Sequence, residues 1–293
     1  GPEYSSIKIG GNGNIEVKIG TQSNGQGHAT SYAQIVSEVL GVHINEINVI
    51  QGNSLEIAKG SGTGGSRSMP VGGNALYLAA KKFLEHTKKA LANYLNTSPE
   101  KILYNEGFFQ FNDKQFSLSN LTQLFNSNEV LKVDANWSPN EGTFTYPNGA
   151  HICELEIDKF SGFIKILNYT VVDDFGKVIN PVLLEGQVHG GIAQGIGQAL
   201  FEETIYDDET GQLLSGSFMD YAIPRASDIP NINFSYNEIL CNTNPLGIKG
   251  AGEAGAIGAP PAVINAICNA LDLDHVDMPA KPEKIWRILS SKK

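Results

Sequence analysis

Apolar and polar residues alternate in two parts of the chain. The first part covers Ile7–Ile9 and Ile15–Ile19, on either side of a Gly/Asn-rich turn at residues 10–13. The second part covers Ala150–Ile157 and Phe163–Val172. Alternation on both sides of a short turn is typical of a β-hairpin with one buried face. The pattern therefore predicts two hairpins, one near the start of the sequence and one in its middle.

Apolar residues at helical spacing predict four longer helices. These are Ala29–Leu40 before Gly41, a stretch from Gly73 to about Leu95, a helix opened by Pro181, and Pro260–Leu271. Proline suits a first helical turn, so we expect the last of them to begin at its proline pair. Shorter strands are expected at Ile44–Ile50, Lys101–Phe111, Lys114–Phe116 and Asn231–Leu240, and short helices at Ser119–Phe125 and Lys281–Leu289.

The order of these elements predicts the fold class. Strands and helices interleave, so we expect an α+β fold of mixed sheets with packed helices. Residues 136–148 are polar and contain Pro139 and Pro147, which predicts a boundary between two subdomains. We therefore expect a first α+β subdomain at residues 1–140 and a second at 141–293.

Composition narrows the functional classes. The 293 residues include only 3 Cys, far apart, which argues against a disulfide framework and against a cysteine-ligated zinc or iron–sulfur site. The net charge of -10, without basic runs, disfavours nucleic acid and anionic membranes as partners. No apolar run approaches the roughly 20 residues of a membrane span. With sparse cysteine and no visible export signal, we expect a cytoplasmic location.

The 32 glycines gather in four clusters, at residues 20–28, 60–73, 186–197 and 247–258. Glycine lets backbone amides approach a ligand closely, and helix N-termini favour phosphate groups. The first, second and fourth clusters run directly into a predicted helix, and the third lies within one. Together the four clusters predict a large, phosphate-bearing ligand. The alternative is that the glycines serve tight turns and close helix packing in a non-catalytic packing or assembly module.

Glu253, in the fourth cluster, is the only acidic residue between Glu238 and Asp272, and its neighbours are Gly, Ala and Ile. In a tightly packed apolar loop its pKa would be raised, as suits a general base near neutral pH. The alternative is a carboxylate that caps the following helix or faces solvent. Gly250–Gly255 also matches the G-x-G-x-x-G pattern of NAD-type dehydrogenases, but too few residues follow it for the rest of that fold.

The other polar candidates give weaker signals. The six His show no metal-binding spacing, so packing or hydrogen bonding is expected for His28, His151 and His189. Ser66 and Ser68 sit in a glycine loop as hydroxyl donors. Arg67, between them, could bind a phosphate or carboxylate bidentately, and the alternative is a structural ion pair on the surface.

Taken together, the four clusters resemble loops of the molybdenum hydroxylases, the family of xanthine dehydrogenase, aldehyde oxidase and carbon monoxide dehydrogenase. Gly25–Gly27 resembles the family's glutamine loop, and Gly65–Gly73 its second cofactor loop. Gly186–Val188 resembles the next, and Lys249–Glu253 the loop with the catalytic glutamate. The Ser-Arg-Ser form is most similar to the carbon monoxide dehydrogenase-like bacterial branch. The resemblance covers the C-terminal part of the molybdopterin-binding large subunit.

The resemblance implies both a mechanism and a set of partners. Glu253 would accept a proton from molybdenum-bound hydroxide, and water-derived oxygen would then reach a substrate carbon. Electrons would leave through iron–sulfur and FAD subunits or domains. The N-terminal half of the molybdenum subunit would complete the site, so we expect the isolated chain to be inactive. The cofactor, molybdopterin in its cytosine dinucleotide form with molybdenum, would be held by Gln26, Gly27, Ser66, Arg67, Ser68, Gln187 and Gly252.

Overall fold

The structure, a computed structural model, describes residues 1–10, 13–57, 59–125, 131–141 and 143–291. The chain forms two compact units. Unit 1 comprises residues 1–146, 176–180 and 240–250, and unit 2 comprises residues 147–175, 181–239 and 251–293. Three short segments of the predicted second subdomain, residues 141–146, 176–180 and 240–250, therefore belong to unit 1. The subdomain boundary expected at residue 140 stays a prediction.

Unit 1 is built on a four-stranded sheet. Its strands are β1 (Glu3–Ile9), β2 (Ile15–Ile19), β3 (Ile47–Ile50) and β7 (Lys132–Trp137), in the order β3-β2-β1-β7. β1 pairs antiparallel with β2 and β7, and β2 pairs parallel with β3. The first predicted hairpin is confirmed, although Gly11 and Asn12 of its turn lie outside the described residues. The predicted strand from Ile44 begins as a 3-10 turn, and β7 was not predicted.

Helices cover this sheet and complete the core of unit 1. α1 (His28–Leu40) ends at Gly41 in the left-handed conformation, as predicted, and α2 (Asn74–Tyr94) follows a π-helical segment, Ser68–Gly73. The largest fully buried side chains include Tyr32, Phe83 and Phe109. A small antiparallel sheet stands beside them, formed by β4 (Leu103–Asn105), β5 (Phe108–Phe111) and β6 (Lys114–Ser117), followed by the short α3 (Leu121–Leu124).

A buried pair of asparagines ties a late segment of the chain into unit 1. Asn74 Nδ2 donates to Asn244 Oδ1 at 3.0 Å, and Asn74 Oδ1 accepts from the backbone N–H of Leu246 at 3.0 Å. Asn244 in turn bonds both backbone groups of Ile248. Because buried amides must be hydrogen-bonded, these contacts fix residues 244–248 against the start of α2.

Unit 2 contains a three-stranded sheet in the order β10-β9-β8. β8 (Asn148–Ile157) and β9 (Ile164–Asp174) form the second predicted hairpin, and β10 (Ile232–Asn237) pairs parallel with β9. The turn of this hairpin contacts α6 (Pro282–Ser291). A Cβ on Gly162 would lie 2.1 Å from the backbone oxygen of Pro282, so only glycine fits there. The α+β class predicted from the sequence is confirmed in both units.

Two long helices pack on each other in unit 2. α4 (Pro181–Leu200) begins at Pro181 as predicted, but α5 (Ala254–Leu271) begins six residues earlier than expected. Its proline pair lies inside the helix, because the buried face of Ala259 and Pro260 packs on α4 and offsets the two lost backbone hydrogen bonds. Among the described residues, α5 alone is long and apolar enough to cross a membrane, a test that packed core helices also pass.

Candidate functional site

The first glycine cluster joins β2 to α1 in unit 1. Gly27 is left-handed, with φ 72°, immediately before α1, and no side chain caps that helix. Gln26 folds back over its own loop, where its Oε1 accepts from the backbone N–H of Asn24 at 2.5 Å. The first backbone N–H groups of a helix have no intrahelical partners. Gln26 and Gly27 therefore lie at an uncapped helix start, which is a polar and amide-rich place.

The second cluster is locked against the first. A Cβ on Gly20 would lie 2.4 Å from Cα of Gly60, so the two backbones can meet this closely only if both residues are glycine. Thr63 Oγ1 donates to the backbone oxygen of Gln22 at 2.6 Å and also contacts Ser68 Oγ at 3.1 Å. The loops at 20–27 and 60–68 thus form a single surface within unit 1.

Tyr32 fastens the same two loops from below. It is fully buried in α1, its hydroxyl contacts Thr21 Oγ1 at 2.5 Å, and it donates to the backbone oxygen of Ser68 at 3.1 Å. Burial raises the pKa of Tyr32, so the hydroxyl keeps its proton for these bonds. The sequence pattern shows Tyr32 only as an apolar helix position, and its bonding role could not be found from spacing.

Ser66 and Arg67 have distinct settings. Ser66 is left-handed, with φ 53°, and a Cβ on Gly250 would lie 2.6 Å from both Cβ and the backbone oxygen of Ser66. The start of the fourth cluster therefore packs against the second within unit 1. Arg67 is paired with the buried carboxylate of Glu3, so it forms an ion pair, but a buried one rather than the surface pair of the alternative. Its cofactor-binding role stays a prediction.

The third cluster lies in α4 of unit 2 and serves helix packing at two positions. A Cβ on Gly191 would lie 3.0 Å from Cα of Gly255, and one on Gly195 would lie 2.7 Å from Cβ of Ala259. By contrast, Gly186 and Gly190 have no described heavy atom within 4 Å of an added Cβ. Packing therefore explains one side of α4 and leaves the glycines of the other side unexplained.

Gln187 is half-buried on α4, and Gly252 and Glu253 are exposed in unit 2. Glu253 is the residue that precedes α5, and its side chain makes no capping hydrogen bond. The expectation that Glu253 lies in a tightly packed apolar loop was wrong, because Glu253 is exposed. The dinucleotide-binding alternative is also wrong, because no strand leads into Gly250: Ile248 forms only an isolated antiparallel bridge with Gly176.

Unit 2 holds two further polar features. A cavity of about 310 Å³ is lined by Gln194, Gly195, Gln198, Glu202, Thr204, Tyr221 and Ala256, and so by none of the predicted site residues. The His151 ring covers Gly258 of α5, with Nδ1 2.8 Å from the Tyr169 hydroxyl and Nε2 3.4 Å from Asp173 Oδ2. Hydrogen bonding at His151 is thus as expected.

Comparison with known proteins identifies the family of the chain, which the geometry of each unit alone does not. Residues 1–230 match the family of molybdopterin cofactor-binding domains. The chain belongs to that family. This membership confirms the resemblance found in the glycine clusters, and it makes the amide-rich surface of unit 1 part of a molybdopterin-binding domain.

Several relatives of this molybdopterin-binding domain are large subunits of oxidoreductases. It is 32% identical over 303 residues to the carbon monoxide dehydrogenase large chain of Afipia carboxidovorans, covering 98% of this chain and 36% of that protein. It is 34% identical over 300 residues to the nicotine 6-hydroxylase large subunit of Paenarthrobacter nicotinovorans, covering 97% and 36%. These relatives are molybdenum hydroxylases.

Solved structures agree with the fold. The domain matches a crystal structure of Cu,Mo-CO dehydrogenase with a TM-score of 0.88 and 32% identity, covering 99% of this chain and 38% of that chain. It matches quinoline 2-oxidoreductase from Pseudomonas putida 86 with a TM-score of 0.87 and 31% identity, covering 99% and 38%. The domain thus spans little more than a third of the length of these proteins.

Two observations in unit 1 fit an added molybdopterin. His28 is buried, burial lowers its pKa, and its Nδ1 has no hydrogen-bond partner within the described part of the chain. A buried acceptor without a donor is uncommon and points to a missing partner. In addition, a Cβ on any of four loop glycines would meet no described heavy atom within 4 Å: Gly25, Gly62, Gly64 and Gly65. These loops therefore leave room for a ligand against their backbone.

Proposed function

We propose that the chain is the molybdopterin-holding C-terminal part of the large subunit of a molybdenum hydroxylase. The observation that carries this proposal is the single surface formed by the loops at 20–27 and 60–68 in unit 1. Those loops are locked together at Gly20 and Gly60, while the glycines beyond that contact face open space. Family membership identifies the ligand class for which such a surface is suited.

In this proposal the loops bind through their backbones and short polar side chains. The N–H groups at the start of α1, beside Gln26 and Gly27, suit a pyrophosphate group. Ser66 and Ser68 supply hydroxyl donors on the second loop, and His28 Nδ1 accepts from an N–H or O–H of the ligand. Arg67 belongs to the same loop. Gln187 and Gly252, which lie in unit 2, keep the cofactor-binding roles that the resemblance implies for them.

Glu253 is the proposed catalytic residue. Molybdenum held by the pterin dithiolene supplies, when bound, the oxygen- and electron-transfer chemistry of substrate oxidation. The carboxylate of Glu253 accepts a proton at one of its oxygens during that chemistry. Its exposed position immediately before α5 keeps the side chain accessible, and the close contact of Gly255 with α4 fixes the backbone two residues away.

The remaining parts of the proposal concern the assembly. We infer that the N-terminal half of the molybdenum subunit completes the site, that iron–sulfur and FAD subunits or domains take the electrons, and that the cofactor is the cytosine dinucleotide form. Two relatives are named as parts of larger assemblies, which supports multi-subunit assembly: the carbon monoxide dehydrogenase large chain and the subunit gamma of the 6-hydroxypseudooxynicotine dehydrogenase complex of Paenarthrobacter nicotinovorans. A small-molecule substrate and a cytoplasmic location belong to the same proposal.

Exchanging the carboxylate of Glu253 for an amide tests the catalytic assignment. In the assembled enzyme, we expect Glu253→Gln to lower kcat by about 10²- to 10⁴-fold, because a positioned general base typically contributes that much. Molybdenum and pterin content, measured by metal analysis and fluorescence of the oxidised pterin, should not change. Glu209→Gln, at another exposed acid of unit 2, is the matched control. An unchanged rate in Glu253→Gln would remove the residue from the mechanism.

Metal analysis of the separately purified chain tests the claim that it is incomplete. We expect no stoichiometric molybdenum and no turnover, because the proposal assigns part of the site to another half of the subunit. Stoichiometric molybdenum together with turnover would contradict this part of the proposal and leave the family assignment untouched.

A further inference from the structure

Glu3 carries a carboxylate that is buried without any exposed side-chain surface. It lies at the start of β1, where Oε1 accepts from the backbone N–H of Tyr4 at 3.1 Å and Oε2 contacts Nη1 of Arg67. A Cβ on Gly20 would lie 2.1 Å from Oε1, so the first glycine loop passes directly over this carboxylate. A buried carboxylate is costly unless a cation and hydrogen-bond donors compensate it, and Arg67 is the cation seen at this position.

Both terminal nitrogens of the Arg67 guanidinium group donate hydrogen bonds to atoms of this chain. Nη1 donates to Glu3 and to the backbone oxygen of Gly62 at 2.9 Å. Nη2 donates to the backbone oxygens of Pro2 at 3.1 Å and Gly1 at 3.2 Å. Four hydrogen bonds engage all four hydrogens on these nitrogens. Bidentate binding of a phosphate needs two parallel N–H groups, and only the Nε–H of Arg67 lies outside these bonds.

We propose that Glu3 is a positioning residue of the molybdopterin site and that Arg67 holds the loop rather than the ligand. The carboxylate of Glu3 anchors Arg67, Arg67 anchors Gly62, and Ser66 and Ser68 are carried on the loop between and beside these points. The charges of Glu3 and Arg67 compensate each other. The phosphate of a ligand is then bound by backbone N–H groups and serine hydroxyls, without a free guanidinium.

This inference rests on the proposed function for its ligand but not for its internal contact. A positioning role of Glu3 and a direct role of Arg67 in phosphate binding predict different effects when the charge of Glu3 is removed. If Arg67 bound the phosphate, removing the charge of Glu3 would leave binding unchanged or strengthen it. If Glu3 positions the loop, removing its charge weakens binding as much as removing Arg67 does.

Hydrogen exchange of the purified chain tests the internal contact. Backbone amides at 60–72 are followed by mass spectrometry in Glu3→Gln, in Arg67→Gln and in the double variant. This range includes the N–H groups of Val71 and Gly72, which donate to the backbone oxygen of Arg67. We expect exchange at least roughly tenfold faster in each single variant, since breaking one side of a buried pair is strongly destabilising. The double variant should be no faster than the faster single variant, because both substitutions remove one contact. Unchanged exchange in Glu3→Gln would overturn the proposal.

The design includes a control and a safeguard. Glu56→Gln removes an exposed ion pair with Lys18 on the same unit and should leave exchange at 60–72 unchanged. If a single variant fails to fold, the double variant, which buries no charge, carries the test. A folded double variant whose loop exchanges as slowly as the original chain would equally overturn the proposal.

Binding of inorganic pyrophosphate, measured by calorimetry on the same proteins, separates this inference from the proposed function. We expect Glu3→Gln and Arg67→Gln to weaken binding by similar factors, of about tenfold. Weakening in Arg67→Gln with unchanged or tighter binding in Glu3→Gln would overturn the positioning role. If the original chain binds no pyrophosphate, the amide surface of the proposed function fails, while the exchange experiment still decides the role of Glu3.

Discussion

The glycine clusters of the two units look alike in the sequence and do different work in the structure. In unit 1, Gly20 and Gly60 bring two loops into backbone contact, whereas Gly62 and Gly64 face open space. In unit 2, Gly191 and Gly255 let two helices approach each other directly. Composition alone cannot separate these cases, because both need a residue without a side chain. The two kinds of glycine differ in what lies next to them: some contact another part of the same chain, and others face open space that a ligand could occupy.

The comparison also divides the glycines within one helix. Gly191 and Gly195 of α4 face α5, while Gly186 and Gly190 face away from any described atom. Glycine in an exposed helix interior costs about 1 kcal/mol relative to alanine. A packing explanation is therefore sufficient for three of the five glycines of the third cluster, since Gly197 also packs closely, against Glu202 and Pro224. A ligand or partner surface remains the better hypothesis for Gly186 and Gly190.

The largest expected effect comes from filling the contact between α4 and α5. Gly255→Val would place side-chain atoms where a Cβ already lies 2.5 Å from the backbone oxygen of Val188. Overpacking against backbone cannot be relieved by a rotamer change, so we expect a loss of about 3 kcal/mol in unit 2. Denaturant unfolding and hydrogen exchange of α4 peptides measure it. Gly190→Ala, on the open side, should instead stabilise by up to about 1 kcal/mol. Equal effects of the two would refute the division.

A smaller loss is expected from the loop contact of unit 1. In Gly20→Ala the new methyl group would meet Glu3 and the Cα of Gly60, so we expect about 2 kcal/mol of destabilisation. Gly64→Ala is the matched variant: it has open space, no positive φ, and an expected effect below about 0.5 kcal/mol. In the assembled enzyme we expect the opposite order for the amount of cofactor retained per folded molecule: Gly64→Ala should lower it more than Gly20→Ala does. Unchanged retention in Gly64→Ala would count against a ligand at this loop.

The smallest effect concerns pH and unit 1. Burial lowers the pKa of His28 below its ordinary value of 6.5, so the unfolded chain binds this proton more readily than the folded chain. The contribution of neutral His28 to the free energy of unfolding is fully present above about pH 6.5 and decreases as the pH falls below that value. We expect a lower unfolding midpoint at pH 5.5 than at pH 7.5, with a smaller difference in His28→Gln. His275→Gln, at an exposed pair with Asp277, should keep the dependence of the original chain. Equal slopes in His28→Gln would contradict this assignment.

Local patterns predicted most of the elements, because their causes are local. The alternation at Ile15–Ile19 and the spacing from Ala29 to Leu40 each require one buried face, and both elements formed as expected. The start of α5 was missed because a contact with α4 overrides the usual preference of proline for a first turn. β7 was missed because its partner, β1, lies more than a hundred residues earlier.

The loops of the proposed site could be singled out from the sequence, whereas the contacts made by their side chains could not. Glycine clustering predicted a phosphate-bearing ligand, and the resemblance to the family's loops then marked Gln26 and Ser66 as candidates for its contacts. The partner of Arg67 could not be found from spacing, since Glu3 is 64 positions away and resembles any polar residue at the start of a strand. The exposure of Glu253 could not be found either, because apolar neighbours in sequence do not determine what lies around a side chain.

The path of the chain through the two units has a consequence for synthesis. Unit 1 takes in residues 240–250, whose Asn244 bonds the buried Asn74 at the start of α2. On a ribosome, that contact is absent until residue 244 has emerged, by which time most of unit 2 has also been made. Unit 1 is therefore completed late, and domains that are completed late expose apolar surface for longer. A gene fragment ending at residue 146 would encode a unit that lacks its own closing segment.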